Sequence, residues 1–297
     1  MCAFDVPPGP ARANRLRYLD ALLIIGYSLS LLSLLACIVM ITLEKRRADE
    51  IMRNPGEFLS KRHTAPPYDK RLSVFIEEYL RWRDELRRPV EILDIGCGND
   101  CQLSSHVLDE DSYLGCDYYD KTEVPAMDYL QIDLNERGLA SALALKKFDV
   151  IFCGELIEHL FSPDDLLDEV KQLMHKQSIL ILSTPNLGYY ANRLLLLLGI
   201  TPLFLENSSE AKLGRRLRAL GQGKETQGHI RVFTYRAIRD LLELKGFEVT
   251  GVKSVPVGWE FPIDRLVCRA SHSLAPDNVF TVKLKNTAVT AVECDRE

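Results

Sequence analysis

The hydrophobic positions of this chain change their period along its length. From Ala21 to Leu43 they form one run without a charged residue. As a helix these 23 residues reach about 34 Å, enough to cross a bilayer core. The run predicts a transmembrane helix, because it is too long for the apolar part of a signal peptide and lacks a small-residue cleavage site. From Leu72 the apolar residues recur at helical spacing, as Leu72, Phe75, Ile76, Tyr79 and Leu80. Beyond Val90 they come in short alternating or continuous runs. These predict strands at Val90–Ile95, Tyr113–Asp117, Met127–Asp133, Phe148–Cys153, Ser178–Ser183, Phe247–Val255 and Val279–Lys285. Helices are expected between them: one starting within Gln102–Leu108, one over Leu166–Met174, one over Tyr189–Ile200, and one opened by Thr234 and stopped at Gly246. Ser162-Pro163-Asp164-Asp165 supplies a cap, a first-turn proline and acids for the second. Strands alternating with helices predict an α/β fold with a mostly parallel sheet and helices on both faces.

The pattern divides the chain into a short basic segment (1–20), the span (21–43), a juxtamembrane linker (44–69), a folded domain (70–286) and a tail (287–297) expected to be disordered. Arg12, Arg15 and Arg17 precede the span, whereas Lys45, Arg46, Arg47, Arg53, Lys61 and Arg62 follow it. The excess of cations on the C-terminal side places the folded domain in the cytoplasm of a single-pass protein. The polar, basic stretch 206–227 reads as a mobile lid or a membrane-facing loop. A net charge of −5 gives no field that gathers nucleic acid, so nucleic acid is not an expected partner. The eight cysteines have no CxxC spacing, which argues against zinc and fits a reducing compartment.

The chemistry starts where the first strand of the domain ends, at Asp94-Ile95-Gly96-Cys97-Gly98. A strand followed by a glycine turn offers unpaired N–H groups to a ligand. The dinucleotide fingerprint would need a third glycine where Cys101 stands. Asp94 beside the turn suits a ligand with an ammonium and ribose hydroxyls better than a pyrophosphate. The stretch resembles motif I of the class I S-adenosylmethionine (SAM) methyltransferases, with Asp100 at that family's usual third glycine. Five strands with these endings resemble the same Rossmann-like, seven-stranded fold, which implies an antiparallel last strand. The resemblance implies SAM as cofactor, held by Asp94, Gly96 and Gly98, with Asp117 on the ribose and Asp133 toward the adenine. Arg71-Leu72-Ser73-Val74-Phe75-Ile76 resembles a run of the ubiquinone-pathway O-methyltransferases whose arginine meets the cofactor carboxylate. Related methyltransferase-11/23-type domains are similar.

Gly154-Glu155-Leu156-Ile157-Glu158-His159 follows the fourth strand. On a helix, Glu155, Glu158 and His159 would share one face. The run resembles both the ubiquinone-pathway enzymes and the small-RNA 2′-O-methyltransferases. Two readings stay open. In the favoured, metal-free one, Gly154 and Glu155 line the adenosine pocket, and His159 with Glu158 does the proton chemistry. In the other, Glu155, Glu158, His159 and His229 hold Mg²⁺ or Mn²⁺. The sequence therefore predicts a membrane-anchored SAM-dependent methyltransferase acting on oxygen of a hydrophobic or membrane-associated small molecule: a quinone, a lipid or a lipid-linked glycan. The alternatives are a metal-dependent RNA 2′-O-methyltransferase and a membrane-tethered scaffold that has lost activity. The oligomeric state is not legible.

Overall fold

The computed structural model describes residues 70–120, 127–256 and 262–285. The chain divides into two units, Met1–Ala65 and Pro66–Glu297, and everything described lies in the second. The span Ala21–Leu43, the linker 44–69 and the tail 287–297 lie outside the described residues. Among the described residues, no helix is long and apolar enough to cross a membrane.

The elements run α1 (Lys70–Leu86), β1 (Glu91–Ile95), β2 (Ser112–Asp117), β3 (Asp128–Gln131), α2 (Leu139–Ala142), β4 (Phe148–Gly154), α3 (Pro163–Leu173), β5 (Met174–Pro185), α4 (Tyr190–Leu197), α5 (Tyr235–Leu244), β6 (Phe247–Val255), α6 (Pro262–Ala270) and β7 (Asp277–Leu284). The seven strands form one sheet in the order β3-β2-β1-β4-β5-β7-β6. β7 alone is antiparallel to its neighbours. The expected sheet is therefore present.

Period-two alternation sorts the strand residues between two cores. Leu93, Ile95, Ile151, Cys153, Leu180 and Leu182 face one side, where α3 contributes Leu166, Leu167 and Val170 and α5 contributes Ile238 and Leu242. Ile92, Val150, Phe152, Ile179 and Ile181 face the other, against Phe75, Tyr79 and Trp82 of α1. Apolar side chains on both faces explain why β4 and β5 read as continuous runs. Each such side chain contributes roughly 1.5–3 kcal/mol by burial. Cys101, Cys116 and Cys153 are buried cysteines, packed as small hydrophobes.

The predicted boundaries mostly hold. Ser162 Oγ accepts the N–H of Asp165 and Thr234 Oγ1 that of Ala237, so both caps form. β5 runs longer at both ends than expected, and α4 stops at Leu197 because Gly199 turns left-handed (φ 66°). The helix expected after the glycine turn is only a five-residue 3-10 turn, Gln102–His106. Cys101 before it is left-handed (φ 41°) and offers no side-chain cap, so an α-helix has no start there. The 206–227 stretch is not a loose lid. Glu206 gathers the N–H groups of Gln227, Gly228 and His229, and the Arg215 guanidinium, buried within the loop, donates to the carbonyls of Leu203, Leu205 and Leu220.

Candidate active site

The chain leaves β1 in one direction, toward β2 and β3, and later in the other, from β4 to β5. Between β1 and β4 the connections therefore diverge beyond the strands' C-terminal ends, which is where open α/β sheets bind ligands. A cleft lies there, lined by Arg71, Asp94, Gly96, Gly154, Glu155 and Ser183 among others. Gly96 and Gly98 both adopt left-handed backbone (φ 74° and 69°). Gly96 N–H is tied to Cys116 O at 2.8 Å, and a Cβ on Gly96 would lie 3.0 Å from the Leu156 side chain. Only glycine turns here without strain or crowding.

Asp117 ends β2 beside this turn. One of its oxygens accepts Gly98 N–H at 2.8 Å and the other Tyr118 N–H at 2.7 Å. Asp133 is exposed and accepts the N–H of Asn135. It does not line the cleft, so the structure gives no support for its placement toward the adenine. Among the described residues, the cleft walls carry Asp94, Asp100 and Glu155 against one cation, Arg71, a balance that suits a ligand with positive charge. Arg71 pairs with Glu155 at 2.5 Å and approaches Asp277 at 3.7 Å.

Asp94 is buried under the Tyr113 hydroxyl, which donates to it at 2.6 Å. Burial pushes its carboxyl up to about 7, the charges of Asp117 and Asp100 add to the rise, and only the Tyr113 bond opposes it. A carboxyl that keeps its proton longer when folded stabilises the fold at low pH and loses that contribution as pH rises through the folded value. The ligand-free protein should thus lose stability between about pH 4 and pH 7. Asp94→Asn should remove part of that loss, on the order of 1–3 kcal/mol, while weakening cofactor binding. Thermal melts across this range, with and without SAM, check both halves.

At the edge of the cleft, Glu155 departs from the expected helix. Its backbone is left-handed (φ 50°), a conformation that costs a non-glycine residue about 1–3 kcal/mol. The turn swings its carboxylate back to Ser183 Oγ and Arg71. Helical geometry covers only Ile157–His159. Glu158 and His159 therefore meet a different partner. A carboxylate oxygen of Glu158 and a ring nitrogen from each of His159 and His229 lie within 4.8 Å of one another, and Glu155 stands outside the group.

Thr184 Oγ1 donates to one oxygen of Glu158 at 3.0 Å. The other oxygen is buried without a partner. Burial, with the charge of Glu155, raises this carboxyl to about 8. His159 Nδ1 lies 3.1 Å from Gly228 O, and His229 Nδ1 lies 3.0 Å from Phe204 O. A carbonyl only accepts, so each Nδ1 carries a proton, and in the neutral ring Nε2 is the nitrogen with the lone pair. The rings meet edge to face at 5.0 Å. Burial lowers the His229 pKa, and the neighbouring His159 lowers it further, so His229 stays neutral. The backbone carbonyl of Glu158 accepts Ile230 and Arg231 N–H, which pins the 228–231 strap across this group.

Three residues that matter here were not singled out in the sequence. Tyr113 donates to Asp94 and Thr184 to Glu158, two of the raised carboxyls. Asp277, the first residue of β7, is buried with one oxygen unpartnered. Only the pairing of β5 with β7, which sets Asp277 opposite Pro185, brings it beside Arg71.

Residues 60–252 match the family described as "Methyltransferase domain". A ubiquinone biosynthesis O-methyltransferase from Histophilus somni (strain 2336) is 28% identical over 118 residues, covering 36% of this chain and 50% of that protein. The chain thus spans about half the length of this curated relative. Among solved structures, a plantazolicin methyltransferase in complex with a triazolic desmethylPZN analogue and S-adenosylhomocysteine has 14% identity and a TM-score of 0.48, covering 84% of this chain and 98% of its own. An S-adenosylmethionine-dependent methyltransferase from Clostridium acetobutylicum ATCC 824 also has 14% identity and a TM-score of 0.48, covering 75% of this chain and 94% of its own.

Proposed function

We propose, for a chain that belongs to the methyltransferase-domain family, methyl transfer from SAM to an oxygen of an apolar small molecule. The protein is a SAM-dependent methyltransferase; the acceptor is our reading. One observation carries it: His159, four residues past the cleft-lining Glu155, has its Nδ1 3.1 Å from Gly228 O, which leaves Nε2 as the accepting nitrogen of the neutral ring.

The fit of SAM rests on the cleft itself. Among the described residues, Gly96 and Cys97 of the turn line it together with the acids Asp94, Asp100 and Glu155 and the guanidinium of Arg71, and Asp117 holds the turn through Gly98 N–H. When bound, the donor supplies an electrophilic methyl on a positively charged sulfur. The chain's residues do the remaining work. Asp117 and the Gly96–Gly98 turn orient the nucleoside end, and Arg71, steadied by Glu155 and Asp277, meets the carboxylate end. His159 takes the acceptor's proton at Nε2 while Gly228 O holds its Nδ1–H. Glu158 is the second proton acceptor, its carboxyl already raised toward working pH. Alignment and exclusion of water supply most of the rate.

The second reading makes Glu158, His159 and His229 the ligands of a divalent ion. It is favoured by the two histidines that each donate Nδ1–H to a backbone carbonyl, as metal-bound imidazoles do. Mg²⁺ or Mn²⁺ there would polarise an acceptor hydroxyl, as an RNA 2′-O-methyltransferase of this type would require. Of the four residues expected to bind it, Glu155 turns away.

The anchor belongs to the same reading. Ala21–Leu43 would hold the domain at a membrane, facing the cytoplasm, where an apolar acceptor such as a quinone, lipid or lipid-linked glycan is concentrated. Washing membranes with carbonate should leave the full-length protein in the pellet; its release would remove the anchor. Lipid and metabolite extracts from cells with and without the gene should differ by a species heavier by one methylene in the apolar fraction. A shift confined to RNA would point to the second reading.

A further inference from the structure

We propose that the ledge formed by residues 194–218 docks onto an anionic lipid bilayer. Three consecutive leucines end α4 uncovered: Leu196, Leu197 and Leu198 are 66%, 81% and 49% exposed. Gly199 then turns the chain, and the loop beyond adds Leu213 and Leu217, 43% and 44% exposed. A soluble surface seldom leaves so many large apolar side chains in water within so short a stretch of chain. The ledge is not a loose loop in which leucines happen to point outward. Its backbone is held by the buried guanidinium of Arg215, which donates to carbonyls on both sides of it, and by Thr201 N–H on Gly214 O. The ordering cost of docking is thereby met before contact.

Charge chooses the occupant. Arg216 and Arg218 flank Leu217 and are exposed. Between Tyr190 and Ile230 stand six lysines and arginines against three acids, in a chain whose net charge is −5. Leucines interleaved with arginines match acyl chains beneath anionic headgroups, where each cation adds about 1 kcal/mol. A second copy meeting this ledge across a two-fold axis would cover the leucines but would set Arg216 and Arg218 against their own like charges. The inference rests in part on the reading of Ala21–Leu43 as an anchor, which would keep a bilayer within reach. It also gives the ledge a use. Glu206 joins it to the 227–229 backbone, and Gly228 holds His159, so lipid at the ledge would adjoin the entrance for an apolar acceptor.

The test reconstitutes the full-length protein in phosphatidylcholine vesicles, with and without phosphatidylglycerol, carrying a phospholipid with a photoreactive acyl chain. Adducts are mapped by mass spectrometry. Adducts within 190–220 that increase with phosphatidylglycerol support the ledge. Arg216→Glu and Arg218→Glu should each lower their yield about fivefold in the anionic vesicles. Leu197→Glu, at a side chain already in solvent, should abolish them while Tm and SAM affinity hold. Adducts within 21–43 but none within 190–220 overturn the ledge and leave the anchor standing. Adducts within 190–220 alone support the ledge and remove the anchor. A lipid-free dimer that Leu197→Glu dissociates, with no adducts in the ledge, overturns the proposal in favour of a second copy.

Discussion

Asp117→Ala is expected to weaken SAM binding by about 10- to 100-fold, the cost of a lost charge-assisted hydrogen bond at a partly buried site. Asp117 stands at the C-terminal end of β2, and its carboxylate does two jobs. It accepts the N–H groups of Gly98 and Tyr118, which fixes the glycine turn, and in the proposed reading its remaining lone pairs take the ribose hydroxyls. Alanine removes both at once. The side chain is neither deep in a core nor ion-paired in the described structure, so the fold should survive. Asp117→Asn is the graded control: it keeps one accepting oxygen and should lose less. Calorimetric titration gives the affinities, and melting curves show that each variant is folded. An unchanged dissociation constant in folded Asp117→Ala would falsify the ribose assignment.

The second large effect concerns the proton. His159→Ala should lower turnover by about 10²–10⁴-fold, the usual worth of a general base, with SAM affinity nearly unchanged because the ring lies beyond the cleft lining. A base acts in its unprotonated form, so the wild-type rate should climb with pH and level off above the pKa of the group at work. If Glu158 shares the task, the climb should extend to about 8, where burial holds its carboxyl, and Glu158→Gln should remove that upper part of the profile. A chelator separates the two readings of the group. Turnover that persists after chelation keeps His159 as the base. Turnover lost to chelation and restored by Mg²⁺ or Mn²⁺, with SAM affinity intact throughout, makes Glu158, His159 and His229 ligands instead.

What the sequence revealed and what it hid have physical causes. The two-sided burial of β4 and β5 leaves continuous apolar runs, and Ser162, Thr234 and Gly246 mark helix ends by their own chemistry, so the sheet and most boundaries were readable. The glycine turn with Asp94 and Asp117 was readable because φ above zero and a strand-end carboxylate each demand particular residues. Left-handed backbone at Cys101 and Glu155 was not. No local sequence signal distinguishes a glutamate that turns back onto Arg71 and Ser183 from one that continues a helix, so one turn of helix through Glu155 was expected where the chain makes a corner. Asp277 was hidden for another reason. It lies far from Arg71 in sequence and reaches it only through the β5–β7 pairing, a long-range fact. The basic stretch 206–227 read as mobile because it is polar; Glu206 and Arg215 bind its backbone, and side-chain-to-carbonyl bonds of that kind leave no periodic trace.

The most direct measurement is a calorimetric titration of the full-length protein with SAM, alongside Asp117→Ala and a Gly98→Val variant that places a branched side chain on a left-handed turn. The account requires one saturable site per chain in the wild type, weakened in the first variant and abolished in the second while both remain folded. A folded wild-type protein that gives no heat with SAM, or variants that bind as it does, would contradict the assignment of the β1–β4 cleft as the donor site.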